Sequence, residues 1–361
     1  MGFLLEFCGG MIRYRPVGVN RAACESVTPD VTAVIRPAGR IVQDGNPVET
    51  MLTALLILGA ALFGLGAASE HIVQQAERDF PPIGNSVEVG GFRQHVIDRG
   101  EGPPLVMIHG AYGAAGDFAA SLMPQTERRF RTIAGDRPGH GYSETPGDGA
   151  TDMPDGQARM LHATLQKLGV HRPILLGFSY GGAVALSYAL QYPDETAALV
   201  LISPATHPWR RTRPLPFGLT DAPLVGPLLK HTLVAPLGAA FKENSIQSVF
   251  APGPVPNAFG AAPVDLGLRP DDYAATEREI RRLDDFLRRQ APRYSVLKLP
   301  VAIVVNDSDT SVSSRIHGRA LAGALSEVEL VVTDGGGHPL HFSRPASVLA
   351  AIDWAAAKAG Y

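Results

Sequence analysis

Short, mostly apolar runs recur along the chain, and each is followed by a helical or turn-rich stretch. The runs are PLVMIH (104–109), RTIAG (131–135), PILLG (173–177), AALVLI (197–202), VAIVV (301–305) and VELVV (328–332). Continuous apolar runs of this length suit strands buried on both faces, because successive side chains point into two different covered layers. Between them, Gly156–Gly169 sets Ala158, Leu161, Leu165 and Leu168 on one helical stripe, Gly182–Leu190 reads as a small-residue helix, and Ala346–Lys358 as an alanine-rich one. Strands that alternate with helices in this way predict a mainly parallel sheet with helices on both faces. Upstream, the alternating runs Ser86–Val89 and Arg93–Asp98, split by Gly90-Gly91, predict a β-hairpin.

The alternation breaks once. Between Ile202 and Val301, residues 206–295 carry prolines, leucines and arginine clusters, with a charged helical stretch over Asp272–Gln290 and no strand-like run. The strand pattern then resumes, so this segment reads as a helical lid inserted into one core made of residues 82–205 and 296–361. No internal repeat or low-complexity tract is present.

The sharpest local signal is Gly177-Phe-Ser-Tyr-Gly-Gly182, directly after PILLG and directly before a helix. A strand-to-helix turn this tight needs small neighbours and holds its central serine in strained backbone geometry over the sheet edge, with helix N–H groups facing any developing anion. Ser179 therefore reads as a nucleophile, and such a serine needs a base and an orienting acid. Of the later histidines, His207 and His231 fall in the inserted segment and His317 in a helical pattern. His338 follows the last strand behind Gly335-Gly336-Gly337, where a base can reach Ser179, and His341 reads as its neighbour in the pocket. The acid belongs on the turn after VAIVV, which offers Asp307 and Asp309, since the turn after AALVLI has no carboxylate.

These pieces, together with H-G-A at 109–111, D-R-P-G-H-G-Y-S at 136–143 and G-G-H-P-L-H-F-S-R-P at 336–345, resemble the α/β-hydrolase superfamily over residues 82–360, in its lidded, serine-nucleophile branch. The resemblance implies an α/β-hydrolase fold, with a mainly parallel eight-stranded sheet flanked by helices and the inserted lid. The family's acid turn, Gly-x-x-Asp, aligns Asn306 with the glycine and Asp309 with the acid. The family's oxyanion hole maps onto the backbone N–H groups of Ala111 and Tyr180. Ser343 stands where relatives often carry Glu, which concerns the start of the following helix. His109 and His140 read as structural histidines, with no metal-ligand spacing around them.

A serine at 179, where epoxide- and halide-processing relatives carry aspartate, supports acyl transfer. The first reading is hydrolysis of a small to medium apolar carboxylic ester. The alternatives are C–C bond hydrolysis of ring-cleavage products with the same triad, or cofactor-free perhydrolase or acyltransferase chemistry. A binding protein built on this fold is disfavoured by the intact triad. No cofactor is implied: no G-x-G-x-x-G follows a strand and no phosphate-binding lysine loop occurs. Tyr112, Trp209 and Phe217 are candidate substrate contacts, although the lid's aromatic and leucine residues also suit packing against the core, and Arg210, Arg211 and Arg213 suit a solvated face.

The 361 residues are 45% hydrophobic and carry a net charge of -3, which excludes a disordered chain and gives no electrostatic reason for nucleic acid as a partner. Both cysteines, Cys8 and Cys24, lie in the first fifty residues, so the body has no disulfide framework. Residues 1–50 lack periodicity and read as a disordered or non-native extension, with Met51 as an alternative start. Residues 51–68 are 18 residues without a charge, long enough for a membrane anchor or a signal segment, with Arg36 and Arg40 before and Glu70 and Asp79 after. As an anchor or signal it places the catalytic body outside the cytoplasm, anchored or secreted, and as a buried helix of a soluble protein, the third reading, it leaves the body in the cytoplasm.

Overall fold

The computed structural model describes residues 3–8, 11–16, 46–147, 149–209, 222 and 225–361. Phe217, Arg210, Arg211, Arg213 and most of the 1–50 extension lie outside these described residues. At the N-terminus, where the sequence showed no pattern, Phe3–Cys8 pairs antiparallel with Met11–Pro16. Considered separately, the first helix, α1, runs Pro47–Asp79.

The body holds the expected eight-stranded sheet. Its strands are β1 (Asn85–Val89), β2 (Phe92–Arg99), β3 (Pro104–Ile108), β4 (Arg131–Gly135), β5 (Ile174–Phe178), β6 (Ala198–Ile202), β7 (Val301–Asn306) and β8 (Val328–Thr333). The spatial order is β1-β2-β4-β3-β5-β6-β7-β8. The β1–β2 and β2–β4 pairs are antiparallel and the other five are parallel.

The continuous apolar runs follow from the period of two. Leu175, Leu199, Leu201 and Ile303 point into one core layer, and Ile174, Leu176, Val200, Ile202 and Val304 into the other. The first layer is closed by α2 (Pro154–Lys167) and α3 (Tyr180–Gln191). After β6 the chain leaves the sheet for about a hundred residues. Its described part contains α4 (Ala235–Phe250) and α5 (Pro270–Gln290) and no strand before β7. The second layer is closed by the last long helix, α6 (Pro345–Ala359), through Val348, Ala351, Ile352 and Ala355. No side chain caps α6, whose N-cap position is Arg344, next to Ser343.

All the motif loops therefore leave the carboxyl ends of parallel strands: 109–112 after β3, 136–143 after β4, 177–182 across β5 and α3, 306–309 after β7 and 335–341 after β8. An open α/β sheet places its binding crevice there. Leu201 is fully buried in the central strand β6. Leu201→Ala is expected to lower the unfolding free energy by about 2–5 kcal/mol, read as a fall in the urea midpoint with an unchanged slope.

Candidate active site

Ser179 sits between β5 and α3 at φ 52°, ψ -114°, a region that a residue with a side chain occupies only at a cost. The surrounding backbone leaves no alternative. A Cβ at Gly177 would fall 2.5 Å from the Gly181 carbonyl oxygen, and a Cβ at Gly181 2.2 Å from that of Ile108. The Ser179 N–H donates to the Ile202 carbonyl at 2.9 Å, and the Ser179 carbonyl accepts from Gly182 and Ala205 at 3.0 Å each. The turn is thus bonded to β6 as well as to its own helix.

His338 Nε2 lies 2.9 Å from Ser179 Oγ, and His338 Nδ1 lies 2.6 Å from Asp309 Oδ2. Asp309 Oδ1 accepts the N–H groups of Ser311 and Val312 at 2.8 and 2.9 Å, which fixes the carboxylate. Asp307 points elsewhere: it pairs with Arg319 at 2.8 Å and accepts from Ser314 Oγ. Of the two aspartates on that turn, Asp309 alone meets the histidine.

The His338 loop is held from three sides. Gly335, Gly336 and Gly337 all have positive φ, and a Cβ at Gly337 would fall 2.2 Å from the Val249 carbonyl oxygen. Next to this approach, the His338 N–H donates to the Val249 carbonyl at 2.7 Å, so the end of α4 fixes the histidine backbone. Ser203 Oγ donates to the His338 carbonyl at 2.9 Å. Asn306, in the place of the glycine of related chains, donates from Nδ2 to the Gly337 carbonyl at 3.1 Å and accepts the Ser308 N–H at 2.9 Å. The departure from the glycine pattern thus ties the aspartate turn to the histidine loop, a role its identity alone did not reveal.

The loop after β3 closes on the serine. A Cβ at Gly110 would fall 2.9 Å from the Phe178 ring and 3.2 Å from Ser179 Cβ. Among the described residues, neither the Ala111 nor the Tyr180 N–H has a backbone acceptor, and Tyr180, as the first residue of α3, has no partner one turn earlier. His109 braces this loop. Its Nε2 accepts the Arg137 N–H at 2.9 Å, and its Nδ1 donates to the Gly110 carbonyl at 2.9 Å. Burial, and then the charge of Arg137, hold its pKa well below the ordinary value, so the ring stays neutral.

Sequence reasoning missed the buried ionic centre behind this loop. Arg137 Nη1 lies 2.7 Å from Glu279 Oε1 of α5 and 2.9 Å from Gln157 Oε1. His140 Nε2 and Gln157 Nε2 reach the same Glu279 oxygen at 2.8 and 2.6 Å. Burial alone would raise Glu279, but Arg137 and His140 override it and hold the carboxyl down at about 2. The signal was present: Glu279 stands four residues from Ala275 and from Leu283, on the buried stripe of α5.

A cavity of about 520 Å³ opens beside His338. Phe178, Leu237, Phe241, Val249 and Phe342 give it an apolar wall, and Tyr112 lines it with its hydroxyl on Glu277. Trp209 is not part of this wall: it packs edge-on against the buried His317 at 4.4 Å. His341 also lines the cavity, and burial, with His338 nearby, pushes it down to about 3, so it is neutral. Lys242, the cation among the described lining residues, is paired with Asp265 at 2.9 Å.

A profile of the α/β hydrolase fold matches residues 103–345. The chain is 37% identical over 132 residues to 2-hydroxymuconate semialdehyde hydrolase of Pseudomonas putida, a match that spans 35% of this chain and 45% of that relative. It is 29% identical over 286 residues to 2-(acetamidomethylene)succinate hydrolase of Mesorhizobium japonicum, spanning 75% of this chain and 94% of the relative. An α/β hydrolase fold protein from Burkholderia ambifaria superposes with a TM-score of 0.61 at 24% identity, covering 74% of this chain and 96% of that one, a likeness of fold.

Asp117 at the cavity wall is pushed up to about 7, chiefly by burial, against a weak bond from the Ala114 N–H at 3.4 Å. In the unfolded chain it ionises near 3.8. Between those values the folded state keeps a proton that the unfolded state has lost, so this group lowers stability as pH rises from about 4 to about 7. The gain in stability of Asp117→Asn over the parent should grow by roughly 2–4 kcal/mol across that window and level off above it, as read by urea unfolding at successive pH values.

Proposed function

Because the chain belongs to the α/β-hydrolase family, we propose that it is a serine hydrolase in which Ser179 is the nucleophile, His338 the general base, Asp309 the residue that orients and stabilises the imidazolium, and the Ala111 and Tyr180 N–H groups the oxyanion hole. The observation that carries this reading is the unbroken series of hydrogen bonds from Ser179 Oγ through His338 to Asp309, at 2.9 and 2.6 Å, with the serine on a strained turn.

For the substrate, the sequence alone put an apolar ester first and a carbon–carbon bond second; the Pseudomonas putida relative supports the second, whereas the substrate named for the Mesorhizobium japonicum relative carries an acetamido group. The substrate named for the Pseudomonas putida relative is a hydroxy-acid semialdehyde, which contains no ester or amide. Its hydrolysis therefore splits a C–C bond. The same residues suffice for that chemistry. Ser179 Oγ adds to the carbonyl carbon as His338 takes its proton, and the two backbone N–H groups bind the oxyanion. Once the 2-hydroxydiene has tautomerised to its keto form, with the hydroxyl proton moved to the carbon next to the attacked carbonyl, the C–C bond breaks, its electron pair delocalised onto that keto carbonyl of the leaving fragment and a proton returned from His338. Water, deprotonated by His338, releases the acyl group from Ser179.

One observation favours the ester reading. Lys242 is the one lysine or arginine among the described lining residues of this largely apolar cavity, and it is already paired with Asp265. Turnover of ring-cleavage semialdehydes and diketones, followed by loss of their conjugated absorbance, against p-nitrophenyl esters from acetate to palmitate decides between them. With the preferred substrate, Ser179→Ala is expected to lower kcat by at least about 10³-fold. Activity that survives that change overturns the serine mechanism.

We also read α1 as a membrane anchor. Along the described helix, Leu56 is 75% and Phe63 79% exposed, whereas Ser69 and Ala76 further on are buried and Glu77 pairs with Arg269 at 3.1 Å. The full chain is expected to stay with membranes through a carbonate wash, and residues 69–361 to remain in solution.

A further inference from the structure

We propose that Arg137 is a positioning residue for the oxyanion hole, held in place by Glu279 of the insertion; this rests on the serine-hydrolase reading above. Arg137 is 4% exposed, and its guanidinium reaches the peptide that carries one N–H of the hole and the side chain of the residue that carries the other. Its Nη2 donates to the Gly110 carbonyl at 3.1 Å, and its plane lies over the Tyr180 ring at 4.5 Å. The Gly110 carbonyl also accepts from His109 Nδ1 at 2.9 Å and from the Gly113 N–H at 3.4 Å.

The carbonyl of Gly110 and the N–H of Ala111 belong to one peptide unit. That unit is trans, since the one cis bond among the described residues is Ala251-Pro252. In a planar trans peptide the C=O and N–H point in opposite directions. Donors that pull the Gly110 oxygen inward therefore turn the Ala111 N–H outward, beside Ser179. Gly110 needs such a restraint, because a glycine at the edge of a turn gives its following peptide little resistance to rotation. The restraint passes to the insertion through Arg137 Nη1, which is bound to Glu279 Oε1 at 2.7 Å. Withdrawal of Glu279 from the guanidinium would leave the peptide held by His109 and Gly113 alone.

Arg137→Lys tests this. A lysine is a point charge without the planar fork, so it satisfies Glu279 and loses the Gly110 carbonyl. The expected result is a fall in kcat of about 10²–10³-fold with KM changed less than about threefold. A trifluoromethyl ketone, which adds to Ser179 and forms an oxyanion, should lose affinity by a similar factor, while the matching unreactive alcohol binds as before. The double change Arg137→Met with Glu279→Met removes both charges of the pair, leaving His140 and Gln157 without that partner, and should show the same split, with circular dichroism confirming the fold. Unchanged kcat, or equal losses for the ketone and the alcohol, overturns the proposal. Crystal structures of both variants keep the test independent of the reaction: the Gly110–Ala111 peptide should rotate, and an unrotated peptide overturns the proposal even where the parent turns out to hydrolyse nothing. A parent enzyme that neither adds the ketone nor turns over any substrate refutes the serine-hydrolase reading instead.

Discussion

A guanidinium and a carboxylate that are both withdrawn from water must satisfy each other or destabilise the fold. In this protein Arg137 and Glu279 meet under nearly complete burial, with His140 and Gln157 on the same carboxylate oxygen. Much else is arranged around that requirement. The loop after β4 supplies the arginine and one histidine, the insertion supplies the carboxylate, and α2 supplies the amide. Three segments far apart in sequence are thus brought to one point, behind the loop that faces Ser179. The pair works less as a source of net stability than as a condition on geometry, since misplacing any member leaves a charge unpaired in a dry interior.

The central sheet was legible because its signal is redundant. The inner strands β3, β5, β6 and β7 are covered on both faces, so their residues are apolar up to Asn306 at the end of β7, and the runs stand out. β8 gave a similar run, VELVV, yet it forms the edge of the sheet and is mostly half-exposed. An apolar run reports a strand but not its place in the sheet. The serine turn was legible for a related reason: its glycines answer close backbone approaches that leave no room for a side chain, and such approaches constrain the residues on the spot.

The chemical environment was harder to read, because its parts depend on contacts across long sequence separations. As residue types Asp307 and Asp309 are equivalent; the resemblance pointed to Asp309, and the direction of each side chain, toward Arg319 or toward His338, tells them apart in the structure. Asn306 read as a departure from a pattern, whereas its amide bridges two loops. Trp209 looked like a pocket residue by composition and instead packs on His317. Glu279 was hidden within a helix rich in charges, where the buried carboxylates, Asp272, Glu277 and Glu279, are easily lost among those on the wet side.

The bond from the His338 amide to the Val249 carbonyl has a consequence for how such an enzyme diversifies. Val249 belongs to α4, part of the segment that lines the cavity beside His338. The segment that shapes this cavity is therefore also a structural support of the His338 loop. A transplanted insertion must bring a carbonyl to the same spot and a carboxylate for Arg137, or it exchanges specificity for a disordered catalytic loop. Two fixed anchor points within an otherwise replaceable segment set the boundary between what drift can rewrite in this chain and what it must leave in place.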